Sequence, residues 1–340
     1  MSANSVAGYI YAQIHDNLTD KNGLQVFKSQ MMKKIITISA LLILSYGSFA
    51  QQDPILIQYM FNMQAINPAY VGSSECMSLN LIDRIQWLGM KNGPNTMMFT
   101  AGTNLPNRHL GVGLIAYRDA LGPTVESGMM GSFAYRILFP STSLSFGLQF
   151  GFDYLNVDWN SLNPEDPSDP MITNQVSNRA VPDAGFGIYY HASRYYFGIA
   201  STHLLQNKFL VSTNTLNEQT SFSKLLRHFY AMAGGTIPLS DELTLRGTAL
   251  VKYVSNAPVQ ADVDVSLLIH NIIWVGAGYR TENCITVMAE VNITKNLHLG
   301  YSYDAWFNPL QSYNKGSHEI RLGYDIDAFN TGRMVTPRYF

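Results

Sequence analysis

From Leu243 to Asp304 apolar and polar residues alternate in short runs joined by brief turns. In Leu243–Tyr253 the positions Leu243, Leu245, Ala249, Val251 and Tyr253 are apolar, and Thr244, Arg246, Thr248 and Lys252 fall between them. Strand side chains point alternately to two faces, so this run has one greasy face and one charged face. Val259–Leu267 sets Val259, Ala261, Val263, Val265 and Leu267 against Gln260, Asp262, Asp264 and Ser266. The runs from Ile285 to Asn292, with Glu290 on the polar side, and from Leu297 to Asp304 repeat the pattern; Leu250 and Met288 interrupt it. A soluble sandwich buries such apolar faces between two sheets, whereas a membrane barrel turns them to lipid and keeps charge inside.

The same reading extends along the chain to Met77–Trp87, Pro94–Asn104, Leu110–Arg118, Val125–Leu138, Thr142–Tyr154, Asp183–His191, Arg194–Leu204, His228–Ile237, Ile272–Arg280 and Ser317–Ile326. This predicts an all-β chain: a transmembrane antiparallel β-barrel of about 14 strands, most of them near the length a tilted spanning strand needs. Connections after even strands are brief, such as Phe139–Ser141 and Ala192–Ser193, while the long ones, Leu155–Pro182, Leu205–Arg227 and Trp306–Gly316, all follow odd strands. Bacterial barrels carry short turns on the periplasmic side, so the parity predicts periplasmic termini and long extracellular loops. Arg246, Lys252, Asp262, Asp264, Glu290, Glu319 and Arg321 lie opposite their strands' apolar faces and are expected to line a lumen, there chiefly solvating the interior. Tyr and Trp near strand ends, Trp87 among them, suit interfacial girdles.

Composition sharpens the choice. Charged residues make up 14% and aromatics 12% of the 340 residues, with 20 Tyr and 17 Phe. That charge fraction is far below the roughly 25% usual for soluble domains and favours a lipid-facing protein. A net charge of -2 gives no electrostatic reason to expect nucleic acid as a partner. Met31-Met32-Lys33-Lys34, the apolar run Ile35–Leu44 and the small-residue end Ser48-Phe49-Ala50 form a secretory signal, residues 31–50, with cleavage expected after Ala50. Residues 1–30 read as an extension of the gene start. The mature chain then divides into a lead-in or plug, 51–76, a barrel, 77–326, and a tail, 327–340. Its two cysteines, Cys76 and Cys284, fall near opposite rims and are expected to be free thiols.

Catalytic and ligand-binding motifs are scarce. Gly111-Val112-Gly113-Leu114-Ile115-Ala116 matches a loose dinucleotide fingerprint but lies inside a strand with no helix after it. Gly185, Gly187, Gly276 and Gly278 read as small positions or bends in a barrel. No H-E-x-x-H, C-x-x-C or Walker A run occurs, so neither cofactor nor metal is assigned and the chain is not read as an enzyme. His298 falls on the lumen side, His318 on the apolar side and His191 at a strand end. The acidic stretch around Glu165, Asp166 and Asp169 is stiffened by Pro164, Pro167 and Pro170 and reads as a solvated loop rather than a calcium site.

The lead-in lacks alternation and carries Gln52-Asp53-Pro54, Gln58-Tyr59-Met60-Phe61-Asn62 and Asn67-Pro68-Ala69-Tyr70-Val71-Gly72. These runs resemble the start of the PorP/SprF family of type IX secretion membrane proteins of the Bacteroidetes. Arg84-Ile85-Gln86-Trp87, Ser317-His318-Glu319-Ile320 with Arg321-Leu322-Gly323-Tyr324, and the ending Pro337-Arg338-Tyr339-Phe340 are also similar to that family. The resemblance implies an outer-membrane barrel that receives the carboxy-terminal signal domain of secreted adhesins. In some members it implies contact with periplasmic and outer-membrane components of the secretion machinery. It makes Gln58, Tyr59, Asn62, Asn67, Pro68, Tyr70, Gly72, Arg84 and Trp87 candidates for a partner-binding or plugging segment, expected at the periplasmic mouth. An internal brace closing the barrel bottom is the bland reading of the same segment, and a diffusion pore or lipophile transporter is the alternative function. Both Cys76 and Cys284 are expected to react with an alkylating reagent in unreduced, unfolded protein; blocked thiols would contradict the rim assignment.

Overall fold

The computed structural model describes residues 53–327 except 54, 75, 107, 159–178, 214–217, 282 and 308. The expected extension, signal, tail after residue 327 and acidic loop therefore lie outside the described residues.

Fourteen strands close into one antiparallel barrel. They are β1 (Met77–Ile85), β2 (Asn95–Asn104), β3 (Leu110–Leu121), β4 (Thr124–Leu138), β5 (Thr142–Val157), β6 (Arg179–Ala192), β7 (Tyr195–Thr202), β10 (His228–Ser240), β11 (Leu243–Val254), β12 (Gln260–Ile269), β13 (Ile273–Arg280), β14 (Cys284–Asn292), β15 (Leu297–Trp306) and β16 (Ser317–Ile326). Neighbours in sequence pair with each other, and β1 closes on β16 from Met77↔Ile326 to Ile85↔His318.

The expected connection Leu205–Arg227 is not irregular throughout. It contains a hairpin, β8 (Lys208–Thr213) and β9 (Glu218–Lys224), outside the ring, so β7 pairs directly with β10. Phe209 and Leu225 of this excursion pack on Leu155, Val157 and Val181, which explains why β5 and β6 run further than their alternation alone suggests. Pro238, where a strand would normally be interrupted, sits at a register shift in β10.

The faces sort as lipid demands. Phe133, Phe150 and Phe152 are 63%, 58% and 60% exposed, while Arg246, Glu319 and Arg321 on the other face are no more than 2% exposed. A water-soluble chain would hide the former and wet the latter; only hydrocarbon outside and a filled interior satisfy both.

The lead-in supplies the filling. Residues 55–72 form three short 3-10 turns, Tyr59–Phe61, Met63–Ala65 and Pro68–Tyr70. Nearly all of their side chains are buried. The last turn has a local cause: the Asn67 side chain accepts the Ala69 N–H at 2.9 Å, and Pro68 occupies the first helical position, where its missing donor costs nothing. Gly72, at φ 71°, lies against Gly111, and any Cβ there would crowd the Gly111 and Asn104 backbone.

The segment is not confined to one mouth. Asp53 meets His203 and His228 at the rim carrying the long connections, whereas Gly72 leads into the start of β1 at the opposite rim. The first described residue and the end of β16 therefore lie at different rims, which the parity of the strands alone did not indicate. Cys76 and Cys284 form no disulfide and sit at the two different ends of the strand ladder. Val265, mid-strand in β12 and 52% exposed, tests the outward face. Val265→Arg is expected to lower the equilibrium stability in lipid vesicles by about 2–4 kcal/mol; an unchanged denaturant midpoint would show that this face is not against hydrocarbon.

Candidate functional site

Backbone groups placed inside a dry barrel must find partners, and the lead-in finds them through side-chain amides and carboxylates. At its start the Ile57 and Gln58 N–H groups donate to the two oxygens of Glu319 at 2.7 and 2.8 Å. Gln58 Nε2 donates to Ser302 Oγ at 3.2 Å. The Tyr59 hydroxyl donates to Thr248 Oγ1 at 3.2 Å, and Asn62 Oδ1 accepts from Thr100 Oγ1 at 2.7 Å. Gln64 Nε2 donates to the carbonyls of Ala101 and Leu114 at 3.0 and 3.2 Å, and Asn67 Nδ2 to those of Ile188 and Ile199 at 3.1 and 3.3 Å. Tyr70 packs edge-on to Tyr189 with centroids 5.4 Å apart.

These amides reach the wall because glycine lets them. A Cβ on Gly102 or Gly113 would collide with the Gln64 amide, one on Gly187 with Asn67 Oδ1, and one on Gly300 with Gln58 Oε1. The Gly111-x-Gly113 pair is therefore part of the lead-in's seat and not a nucleotide turn. The interruptions Leu250 and Met288 have the same explanation. With Tyr189, Tyr196, Tyr230, Met232, Leu268 and Trp274 they form an apolar patch inside the barrel against Ile55, Tyr59, Met60, Phe61 and Met63. Burying side chains of this size stabilises the seated segment by roughly 1.5–3 kcal/mol each.

Much of the charged inner face is paired across strands. Arg84 binds Asp304 at 2.7 Å and Glu319 at 3.3 Å, and Arg280 bridges Asp262 through two contacts of 2.9 Å and reaches Asp304 at 3.5 Å. Arg321 pairs with Glu290 and donates to Asn80 Oδ1 at 2.6 Å. The Arg246 guanidinium lies 4.3 Å from the Phe61 ring centre and 4.0 Å from that of Trp274, and its Nε donates to Ser266. Asp264 accepts from Thr286, and Lys252 Nζ donates to the Asp53 carbonyl at 2.5 Å. His298 contacts Asn292 and Asp325 near the short-connection rim. Trp87 stands apart from this assembly, just beyond β1, where its backbone N–H donates to Ser317 Oγ at 3.3 Å.

Alternation did not reveal a second polar cluster, at the long-connection rim. His203 Nε2 lies 2.9 Å from Asp53 Oδ2, and its Nδ1 lies 2.8 Å from Asp183 Oδ2 and 3.9 Å from Asp153 Oδ2. His203 sits just past β7 at φ 53°, a region few L residues adopt. Burial would lower its pKa, but Asp53 and Asp183 outweigh burial and raise it to about 11. Burial likewise opposes ionisation of Asp53, yet His203, His228 and Lys252 hold its carboxyl below the usual carboxylate range. His228 Nδ1 donates to the Leu226 carbonyl at 2.8 Å, which leaves Nε2 to accept the Asp53 N–H at 3.2 Å. The parity of Asp153 within β5 was readable, but its meeting with Asp183 and His203 depends on register across three strands.

Residues 48–324 match the family of type IX secretion system membrane proteins PorP/SprF. Among solved structures, the Ralstonia pickettii toluene transporter TbuX is 10% identical, covering 78% of this chain and 92% of its own with a TM-score of 0.47. The monoaromatic hydrocarbon channel CymD is 12% identical, covering 83% and 95% at 0.49, and the Acinetobacter baumannii outer membrane protein Omp33 is 7% identical, covering 75% and 100% at 0.44. No curated protein matches the chain. With its closed barrel, greasy exterior and a sequence match over residues 48–324, the chain belongs to the PorP/SprF family of type IX secretion system outer-membrane proteins.

Proposed function

We propose that the protein is a filled outer-membrane barrel that receives and anchors, or helps to secrete, cargo bearing an adhesin-type carboxy-terminal signal domain. In this reading it is exported by the signal at 31–50, cleaved after Ala50, and performs no catalysis. The rim carrying the long connections and the β8–β9 hairpin faces outward, where loops on a rigid scaffold offer a docking surface. The short-connection rim, with the start of β1 and the end of β16, faces the periplasm and the other components of the secretion machinery. Lipid surrounds the apolar wall.

The observation that carries this reading, beside family membership, is the occupied lumen. Between Asp53 and Gly72 the lead-in engages strands all around the ring, and two cavities beside it have a volume of about 10 Å³ each, room for about one water molecule. A diffusion pore needs a continuous wet path, and a barrel of this size has little room for one beside a seated segment. The lead-in thus acts as a plug.

Two measurements test the proposal. Purified protein in planar bilayers is expected to be electrically quiet, and Gly187→Leu, which removes the notch for Asn67, is expected to produce large openings; large stable openings of the unaltered protein would overturn the filled-barrel reading. Co-purification with a candidate adhesin should be abolished when the adhesin's terminal signal domain is deleted, and an unchanged pull-down would overturn the cargo role.

A further inference from the structure

The cluster at the long-connection rim contains more acceptors than its hydrogen bonds use. Asp153 and Asp183 are 0% and 3% exposed and His203 is 6% exposed. Asp153 Oδ2 and Asp183 Oδ1 have no hydrogen-bond partner, and His203 Nδ1 has only the Asp183 Oδ2 contact at 2.8 Å. Two buried carboxylates with unpartnered oxygens are costly unless a positive group stands between them. Their ligand atoms all lie within 4.8 Å of one another. The separations, 2.8 Å from His203 Nδ1 to Asp183 and 3.9 Å to Asp153, bracket the about 3–3.4 Å between ligands that metal bonds of about 2.0–2.2 Å require.

The surroundings are those of an oriented metal-ligand set. His203 Nε2 points at the Asp53 carboxylate, which leaves Nδ1 as the nitrogen that ligates once an ion displaces its proton; this is the carboxylate–histidine arrangement that fixes a ligating imidazole. The other oxygen of Asp153, Oδ1, accepts the Tyr117 hydroxyl at 2.6 Å, and that hydroxyl also lies 3.1 Å from Glu126 Oε1. The neighbouring group of Asp53, His203 and His228 lacks this property. Its imidazole and carboxylate atoms already bond one another or the Asp53 N–H, and the Asp53 side chain is 35% exposed.

We propose that Asp153, Asp183 and His203 bind one first-row divalent transition-metal ion, zinc or manganese in character, with Asp53 of the lead-in as the positioning residue for His203. Two carboxylates and one imidazole suit such an ion better than calcium or magnesium, which favour all-oxygen sites. The ion replaces the proton that His203 Nδ1 otherwise shares with the carboxylates. Because Asp53 belongs to the lead-in while the ligands belong to the wall, the metal tethers the start of the plug at the long-connection rim.

The test uses tag-free mature protein in detergent, stripped with EDTA and titrated with Zn²⁺ or Mn²⁺, with barrel integrity checked by heat-modifiable gel mobility. The expected result is one ion per chain and a rise in melting temperature. Asp183→Asn and His203→Gln are expected to abolish binding, and Asp53→Asn to weaken it about 10–100-fold as outer-sphere partners do. Absence of a stoichiometric ion on the intact barrel, binding equal in all variants, or binding of Ca²⁺ and Mg²⁺ alone would overturn the site. If the ligand variants do not fold, X-ray absorption of the zinc-loaded unaltered protein decides: one imidazole with otherwise oxygen ligands supports the site, and sulfur or two imidazoles overturns it.

Discussion

A barrel wall that turns its apolar face to lipid must turn its charged face inward, and every other feature of this chain answers that constraint. Removing an ion from water costs several kcal/mol, and attraction to a partner offsets this only when the remaining donors and acceptors are also bonded. Here most of the inner charges are paired with one another across strands, and Glu319 is held by the lead-in as well. Arg84 reaches Asp304 and Glu319, and Glu319 in turn accepts two backbone N–H groups of the lead-in. Arg321 holds Asn80, Asn80 donates to Thr100, and Thr100 donates to Asn62, so one polar chain runs from β16 through β1 and β2 into the interior segment. A water-filled lumen would satisfy these groups individually; the seated segment satisfies them in one arrangement only.

That second role leaves its mark on the wall. Strict alternation would place a polar residue at every inward position, yet Leu250, Leu268, Trp274 and Met288 point inward and are at most 5% exposed. They face Phe61, Met60 and their neighbours, so the apolar content of the lumen is concentrated where the lead-in's own apolar side lies. Glycines take the complementary positions. Where an amide must approach strand carbonyls, as at Gln64 and Asn67, the wall residue beside it has no side chain. Apolar interruptions and inner-face glycines are thus an imprint of the segment on the sequence of the barrel.

The number of barrel strands, the position of each and the direction of its faces were legible because they depend only on period and length, properties local to each run. The β8–β9 hairpin was not, since its residues lack a greasy face spanning a bilayer. Nor was the path of the lead-in. Three-residue 3-10 turns have no periodicity to detect, and the direction of threading is set by contacts as distant as Ile57 to Glu319. Gln64 drew no notice because an isolated glutamine carries no signal until Gly102 and Gly113 are known to flank it. Asp304 lay on the polar side of its run, but Arg280, its partner among the inner ion pairs, sits at the end of β13 where alternation fades. The Asp153, Asp183 and His203 cluster depends on the register of β5 with β6 and on the turn after β7, neither of which a single sequence displays.

The closing seam shows why filling and closure are one problem. β1 and β16 are the first and last strands, and a one-residue slip between strands turns every side chain to the other face. Slipped, β16 would present Glu319 and Arg321 to hydrocarbon and Ile320 to the lumen, at about 2–4 kcal/mol for a basic group near the midplane. In register, Arg84 faces Glu319 across the seam, and the same carboxylate receives the N–H groups of Ile57 and Gln58. The seam therefore gains its full stabilisation only with the lead-in seated, and the lead-in is capped only with the seam in register. A single buried carboxylate makes each the condition of the other, so this barrel is most stable when it is both closed and full.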